Sequence, residues 1–363
     1  QWQERYGVVI ITKEGQPLWE SLGSAKDIEL LVDECLEHMH PGAGREEDDS
    51  LEPILHDLYS KLLDPVVDRL PAEINSLIFS PDGGLNFVSF AMLLTDKDQF
   101  LCEEYQIKYV SSGRDLMPGS GSVGSDNGKV VVFANPDESL PGTEIEAENL
   151  EQRAPDWNLQ PEIYLREEAT EEKFISVESP HVLHVTTHGW VPEQIAPMMS
   201  WAKSETNPLH ENLLVFAPQD IDEDSLSYEN DGILTAAEAS LMELKGTRIM
   251  MLAACLTGRG HLTEGEGVMG LRRAFSQAGV QNLVITLWVT WDNSSPIFVE
   301  KFYDEAMKRG NASKLSPKAL WTTQRDLMVE YRKNGKSGSG ECSPEDATLW
   351  ACRHYGAYVL NHN

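Results

Sequence analysis

Basic residues are scarce in this 363-residue chain: 29 Lys and Arg stand against 59 Asp and Glu, a formal charge of −30. That balance argues against nonspecific nucleic-acid binding, which needs clustered cations to displace counterions. It also disfavours an anionic membrane surface. No apolar run approaches the roughly 18 residues of a membrane-crossing helix. The first apolar stretch, Val8 to Ile11, is far shorter than a signal-peptide core. Cysteine is sparse too, with five residues at 35, 102, 255, 342 and 352 and no paired spacing. Free thiols in a reducing, cytoplasmic compartment are expected. No repeat of period 20–50 is visible, and a start at Gln1 is expected of a fragment whose upstream domains lie elsewhere.

What the chain does have is enough apolar material for a sizeable core: 41% hydrophobic residues, with nine Trp, ten Tyr and ten Phe. Its length predicts two lobes or one large α/β domain. Residues 1–118 mix short strands and helices. Val8–Ile11 and Ser76–Ser80 read as strands, and Asp27–Met39 and Ile54–Leu63 as helices. Arg45–Glu52 reads as an acidic loop. Residues 119–128 form a Gly/Ser linker, and 129–363 switch to a βαβα pattern. Val130–Ala134, Val182–Thr187, Arg248–Ala254 and Leu283–Trp288 are expected as buried strands. Helices are expected at Gly142–Arg153, Thr170–Ser176, Val268–Ala278, Pro296–Lys308 and Pro317–Lys333. Strands alternating with helices predict a mostly parallel sheet covered on both faces.

Two strand ends carry chemistry. Leu183-His-Val-Thr-Thr-His-Gly189 ends one strand and Met250-Met-Leu-Ala-Ala-Cys-Leu-Thr-Gly258 another. Reactive groups in open parallel sheets gather at the carboxyl ends of strands, so His188 and Cys255 are placed to meet across 67 residues of sequence. A thiol with a free pKa of about 8.5 needs such a base to become a nucleophile. The N–H groups of Gly189 and Cys255 could hold an oxyanion. The competing reading makes Cys255 a small apolar filler and His188 a satisfied structural residue. His184 and His188 have i, i+4 spacing, but on a strand this is no zinc-binding helix. Gly265-Glu-Gly-Val-Met-Gly270 matches a dinucleotide motif, but it does not directly follow its strand and Glu266 would repel a pyrophosphate. Nothing in the pattern calls for a metal or a cofactor.

Several of these segments, in this order, resemble the CHAT family of caspase-like cysteine peptidases, whose clan includes caspases, gingipains and separase. They are Leu77-Ile-Phe-Ser-Pro-Asp-Gly-Gly84, Leu140-Pro-Gly-Thr-Glu-Ile-Glu146, Leu183–Gly189, Asp231-Gly-Ile-Leu-Thr235, Leu252–Gly258, Gly265–Phe275 with Ala278-Gly279, and Leu287-Trp-Val-Thr-Trp-Asp292. The resemblance implies a caspase-like, mostly parallel sheet with helices on both faces, preceded by a smaller α/β pseudo-protease lobe. It implies His188 as general base, Cys255 as nucleophile, a peptide amide as substrate and no cofactor. By the same resemblance Asp292, four residues after Trp288, sits at the base of the primary pocket and receives a basic P1 side chain. The alternative is that Asp292 caps the helix opening near Ser295-Pro296. The acidic stretch Asp220–Asp231 either attracts a basic substrate segment or is a solvated loop.

The resemblance further implies regulated proteolysis of a specific protein substrate, under a regulatory partner or an upstream repeat domain, with defence as the setting by analogy. Trp190 to about Asn230 is an insert suited to a lid or partner docking, and no third residue that orients His188 is identifiable in the sequence. A catalytically silent module that uses the same fold for binding is the alternative function, and a nucleotide-binding α/β protein using the glycines at 265–270 a more remote one.

Overall fold

In the computed structural model the described residues are 3–40, 50–116, 126–190, 208–210, 212–217, 230–254, 258, 261–263, 267–308, 311–316, 318–334, 336–337, 340–341 and 344–362. Strands β1 (Arg5–Ile10) and β2 (Leu18–Ser24) form an antiparallel hairpin leading into helix α1 (Ala25–Met39). The Ser24 hydroxyl accepts from the Asp27 N–H and caps that helix, and Ile28, Val32, Cys35 and Met39 form its buried stripe at helical spacing. Helix α2 (Leu51–Leu62) packs on α1 and begins about a turn before the apolar period becomes evident in the sequence, because Leu51 is itself buried. The apolar run from 85 to 94 forms two short 3-10 turns, Gly83–Phe87 and Phe90–Met92, in place of a periodic element.

The core is one eight-stranded sheet built from β3 (Ser76–Phe79), β4 (Gln106–Val110), β5 (Lys129–Ala134), β6 (Gln160–Leu165), β7 (Val182–Thr186), β11 (Ile249–Leu252), β14 (Asn282–Thr286) and β19 (Tyr358–His362). Their order is β3-β4-β19-β14-β11-β7-β5-β6. Every neighbouring pair is parallel except β14–β19, so the sheet is two parallel blocks running in opposite senses. Strands from both sides of the Gly/Ser stretch therefore share one sheet. The C-terminal strand β19 is the join between the blocks. Val130, Val131, Val132, Phe133 and Ala134 are each at most 2% exposed, so both faces of β5 are covered, as a continuous apolar run in a parallel sheet requires.

Helices α3 (Pro141–Arg153), α4 (Leu271–Ala278), α5 (Ser295–Ala306) and α6 (Ala319–Asn334) supply cover, with α3 packed on α5 and α5 on α6. Helix α4 starts later than the apolar pattern from Val268 implies. Gly270 adopts φ 149°, a backbone state open to glycine, and separates strand from helix there.

A second, three-stranded antiparallel sheet sits beside the end of β7, in the order β10 (Ile233–Leu234), β9 (Leu213–Val215), β8 (Gly189–Trp190). The remaining strands pair as short hairpins: β12 (His261–Thr263) with β13 (Gly267–Met269), β15 (Met307–Lys308) with β16 (Asn311–Leu315), and β17 (Lys336–Ser337) with β18 (Gly340–Glu341). No helix among the described residues is long and apolar enough to cross a membrane.

Candidate active site

His188 stands just past the carboxyl end of β7 and just before β8. Its main chain is fixed from the small sheet: the Val215 N–H donates to the His188 carbonyl at 3.0 Å, and the Thr187 hydroxyl donates to the Val215 carbonyl. The bond to Val215 makes His188 and Val215 a hydrogen-bonded pair of the β8–β9 ladder. Hydrogen-bonded and non-hydrogen-bonded pairs alternate in antiparallel sheets, so the next pair, Gly189 and Leu214, is of the second kind. The Gly189 N–H accordingly points away from β9.

The imidazole, about one quarter exposed, is held on its Nε2 side. Ser139 Oγ lies 2.7 Å from His188 Nε2, and Asp137 Oδ2 lies 3.3 Å from it. Ser139 in turn donates its hydroxyl to Asp137 Oδ1 at 2.7 Å and its backbone N–H to the same oxygen at 3.2 Å. Burial alone would raise the Asp137 carboxyl. The two bonds from Ser139 and the charge of His188 outweigh it and hold the group below the usual carboxylate range. Asp137 and Ser139 are the residues sequence reasoning missed. They belong to the Asn135–Leu140 loop after β5, between the Val130–Ala134 run and the Leu140–Glu146 segment, where no motif singles them out.

That loop is well anchored. Asn135 is buried and takes φ 49°. Its Oδ1 accepts from the Leu140 N–H at 2.8 Å, and its Nδ2 donates to Glu144 at 2.6 Å. The Asn135 N–H donates to the Thr186 carbonyl, which continues the β5–β7 pairing to the last residue of β7. His184, two turns of the pleat before His188, is buried and belongs to a separate structural cluster: its Nε2 lies 2.9 Å from Glu146 and its Nδ1 3.3 Å from the Tyr303 hydroxyl.

Asp292 is only partly buried, but its carboxyl is committed to a helix it does not belong to. Oδ2 accepts from the Gly142 N–H at 2.9 Å, at the start of α3. The helix it was expected to cap as the alternative role, α5, has Ser294 at its N-cap position and no side-chain cap. Oδ1 is buried and has no hydrogen-bond partner among the described residues. Gly142 is required for this approach, since a Cβ there would overlap the Asp292 carbonyl oxygen and lie 2.8 Å from its carboxyl. Trp190 packs its ring 6.2 Å from that of His188, and Trp291 packs on Trp350 and His354.

Cys255 lies outside the described residues, as do Cys342, residues 119–125 of the linker, most of the 190–230 insert and Asp220–Glu229. The described cysteines, Cys35, Cys102 and Cys352, are free and buried. Burial pushes the Cys35 thiol up to about 12 and raises the other two well above the usual thiol range, so none of them is a nucleophile candidate. Among the described residues no group of three or more His, Cys, Asp and Glu could hold a metal ion.

The chain is similar to tetratricopeptide repeat protein 28 of Mus musculus, at 24% identity over 333 residues. The match covers 80% of this chain and spans 13% of that protein. Among solved structures it is similar to two crystal structures of the Saccharomyces cerevisiae separase–securin complex, with TM-scores of 0.48 and 0.46 and 14% identity. Each match covers 88% of this chain and 18% of the other. The profile of the CHAT domain matches residues 52–356, and the chain belongs to the CHAT-domain family.

Proposed function

We propose that the chain is a cysteine endopeptidase that cleaves a specific protein substrate after a basic P1 residue. The observation that carries this reading is the register of β7 and β11. These strands are parallel neighbours in which Val185 pairs with Leu252, and His188 and Cys255 each follow three residues later in sequence. Parallel neighbours lie about 4.8 Å apart, so equal offsets past a paired position favour a meeting of the two side chains.

In the proposed reaction the Cys255 sulfur, its proton passed to His188, attacks the carbonyl carbon of the P1 residue. The N–H groups of Gly189 and Cys255 stabilise the oxyanion. The carbon–nitrogen bond breaks as His188 returns the proton to the leaving amine, and a thioester remains. Water then adds to the thioester with His188 taking its proton. The acid is released and the thiol regenerated.

The orphan Oδ1 of Asp292 supports the basic preference. A buried carboxylate oxygen without a donor costs about 1–3 kcal/mol, and a guanidinium would supply one. The Gly142 N–H keeps the other oxygen in place, so Asp292 can serve as a helix anchor and as a pocket base together. The mouse relative is named for tetratricopeptide repeats, which supports control of the protease by a repeat domain or a partner.

The test is turnover of a fluorogenic peptide library with P1 varied, by the wild type and Cys255→Ala. Cleavage after Arg or Lys that disappears in the variant is expected. Turnover retained by Cys255→Ala refutes the nucleophile. A folded wild type that cleaves nothing, alone or joined to repeat domains, favours the silent binding module.

A further inference from the structure

Resting on the dyad reading, we propose that Ser139 and Asp137 are positioning residues that hold His188 with its proton on Nε2, so that Nδ1 is the nitrogen that exchanges a proton with the nucleophile.

The assignment follows from counting hydrogens. The Asp137 carboxylate has no proton to donate. The Ser139 hydroxyl has one hydrogen and two close neighbours, Asp137 Oδ1 and His188 Nε2, each at 2.7 Å. A carboxylate oxygen can only accept, so the hydroxyl hydrogen goes to Asp137. Ser139 Oγ then faces Nε2 with lone pairs, and the contact is favourable when Nε2 bears the hydrogen. Asp137 Oδ2 makes the same demand from 3.3 Å. Two acceptors therefore converge on one ring nitrogen.

Neutral imidazole carries one N–H and one lone pair, which leaves the lone pair on Nδ1. Among the described residues Nδ1 has no hydrogen-bond partner. When His188 is doubly protonated, Nε2 keeps its hydrogen and Nδ1 carries the exchangeable one. Ionisation of a thiol would further strengthen the Nε2 bonds, because the imidazolium faces the Asp137 charge.

The scaffold fits this role. The loop is tied to β7 through Asn135 and Thr186, and its exit is tied back through Asn135 and Leu140, so Ser139 and Asp137 keep a fixed distance from His188. His188 is tied independently through Val215. The ring is thus clamped between two elements that flank the end of β7, and neither local sequence contains the other.

The test is long-range proton–nitrogen NMR of the His188 ring in the Cys255→Ala protein, assigned by the peaks lost in His188→Gln. The expected spectrum of the neutral ring shows a pyrrole-type Nε2 and a pyridine-type Nδ1. Asp137→Asn can offer an amide N–H to the ring, so it and Ser139→Ala are expected to move the two nitrogens toward averaged or inverted shifts. Ser139→Thr, which keeps the hydroxyl, is expected to preserve the wild-type pattern. A pyridine-type Nε2 in the starting protein, or shifts unmoved by Asp137→Asn and Ser139→Ala, overturns the proposal.

With Cys255 restored, Asp137→Asn is expected to lower kcat/KM by roughly 10²- to 10⁴-fold through kcat, the range that general acid–base assistance contributes. Should the wild type cleave nothing, alone or joined to repeat domains, the protease reading fails while the NMR result still decides the tautomer.

Discussion

Glu171 is a buried carboxyl whose ionisation the folded chain resists. It opens the short helix Glu171–Ile175, and its Oε2 accepts from the Gly232 N–H at 2.8 Å while Oε1 is buried without a partner among the described residues. Burial first, and then repulsion from Glu238 and Asp231, push its carboxyl up to about 8, with the Gly232 and Ile233 N–H groups opposing. In the unfolded chain the same group has the ordinary value of about 4.3.

The folded state therefore holds a proton that the unfolded state has released between these two values. Stability is greatest below the unfolded pKa and falls as pH rises toward about 8. Taken at face value, the difference corresponds to a loss on the order of 5 kcal/mol across that window. Glu171→Gln removes the dependence: its carbonyl can accept from Gly232, and its amide can donate toward the neighbouring carboxylates. The variant is expected to gain several kcal/mol over the wild type at pH 8.5 and to be near neutral at pH 4.5.

Urea unfolding followed by tryptophan fluorescence at half-unit pH steps measures this, with the slope of stability against pH as the readout. Equal slopes for wild type and variant between pH 5 and 8 would refute the reasoning. The site has a functional side as well. Gly232 leads into β10, and a bridge from Thr170 to Ala217 ties the same corner to the end of β9, so ionising Glu171 is expected to loosen the small sheet that holds the His188 carbonyl.

Two other substitutions probe the frame. Gly142→Ala drives a Cβ into the Asp292 carbonyl oxygen, so it is expected to lower the midpoint of thermal unfolding by several degrees. With Asp292→Ala it should also weaken cleavage after Arg and Lys more than after other residues; an unchanged P1 profile in Asp292→Ala removes the pocket reading. Glu146→Ala leaves His184 buried without its 2.9 Å partner, and a loss of about 3 kcal/mol by urea unfolding is expected, against near-neutrality if the pair contributes nothing.

What was legible in the sequence is what a local period or a local ending writes down. The Val130–Ala134 run announces a strand covered on both faces, and the glycines after His188 and near Cys255 mark strand ends. The strands of the small sheet are two or three residues long, shorter than any pattern can register. Strand β19 follows a single π-helical turn, Cys352–Gly356, and takes its place only by pairing with β14 and β4, far away in sequence. The partners of the site residues are hidden for the same reason. Asp292 meets Gly142 across 150 residues and Ser139 meets His188 across 49.

Register is the common determinant. Ala134 pairs with Thr186 and Val185 with Leu252, and these two pairings set how far the β5 loop, His188 and the chain after β11 stand past the sheet edge. A slip of one residue in either pairing would turn every side chain of that strand to the opposite face. With Val130–Ala134 and Ile249–Leu252 apolar on both faces, burial alone penalises such a slip weakly. The bonds at the strand ends therefore act on register as well. The Asn135 N–H to the Thr186 carbonyl and Ser139 Oγ to His188 Nε2 cross from the β5 end to the β7 end and form in the observed pairing, so the contacts that position His188 also favour the pairing that brings it there.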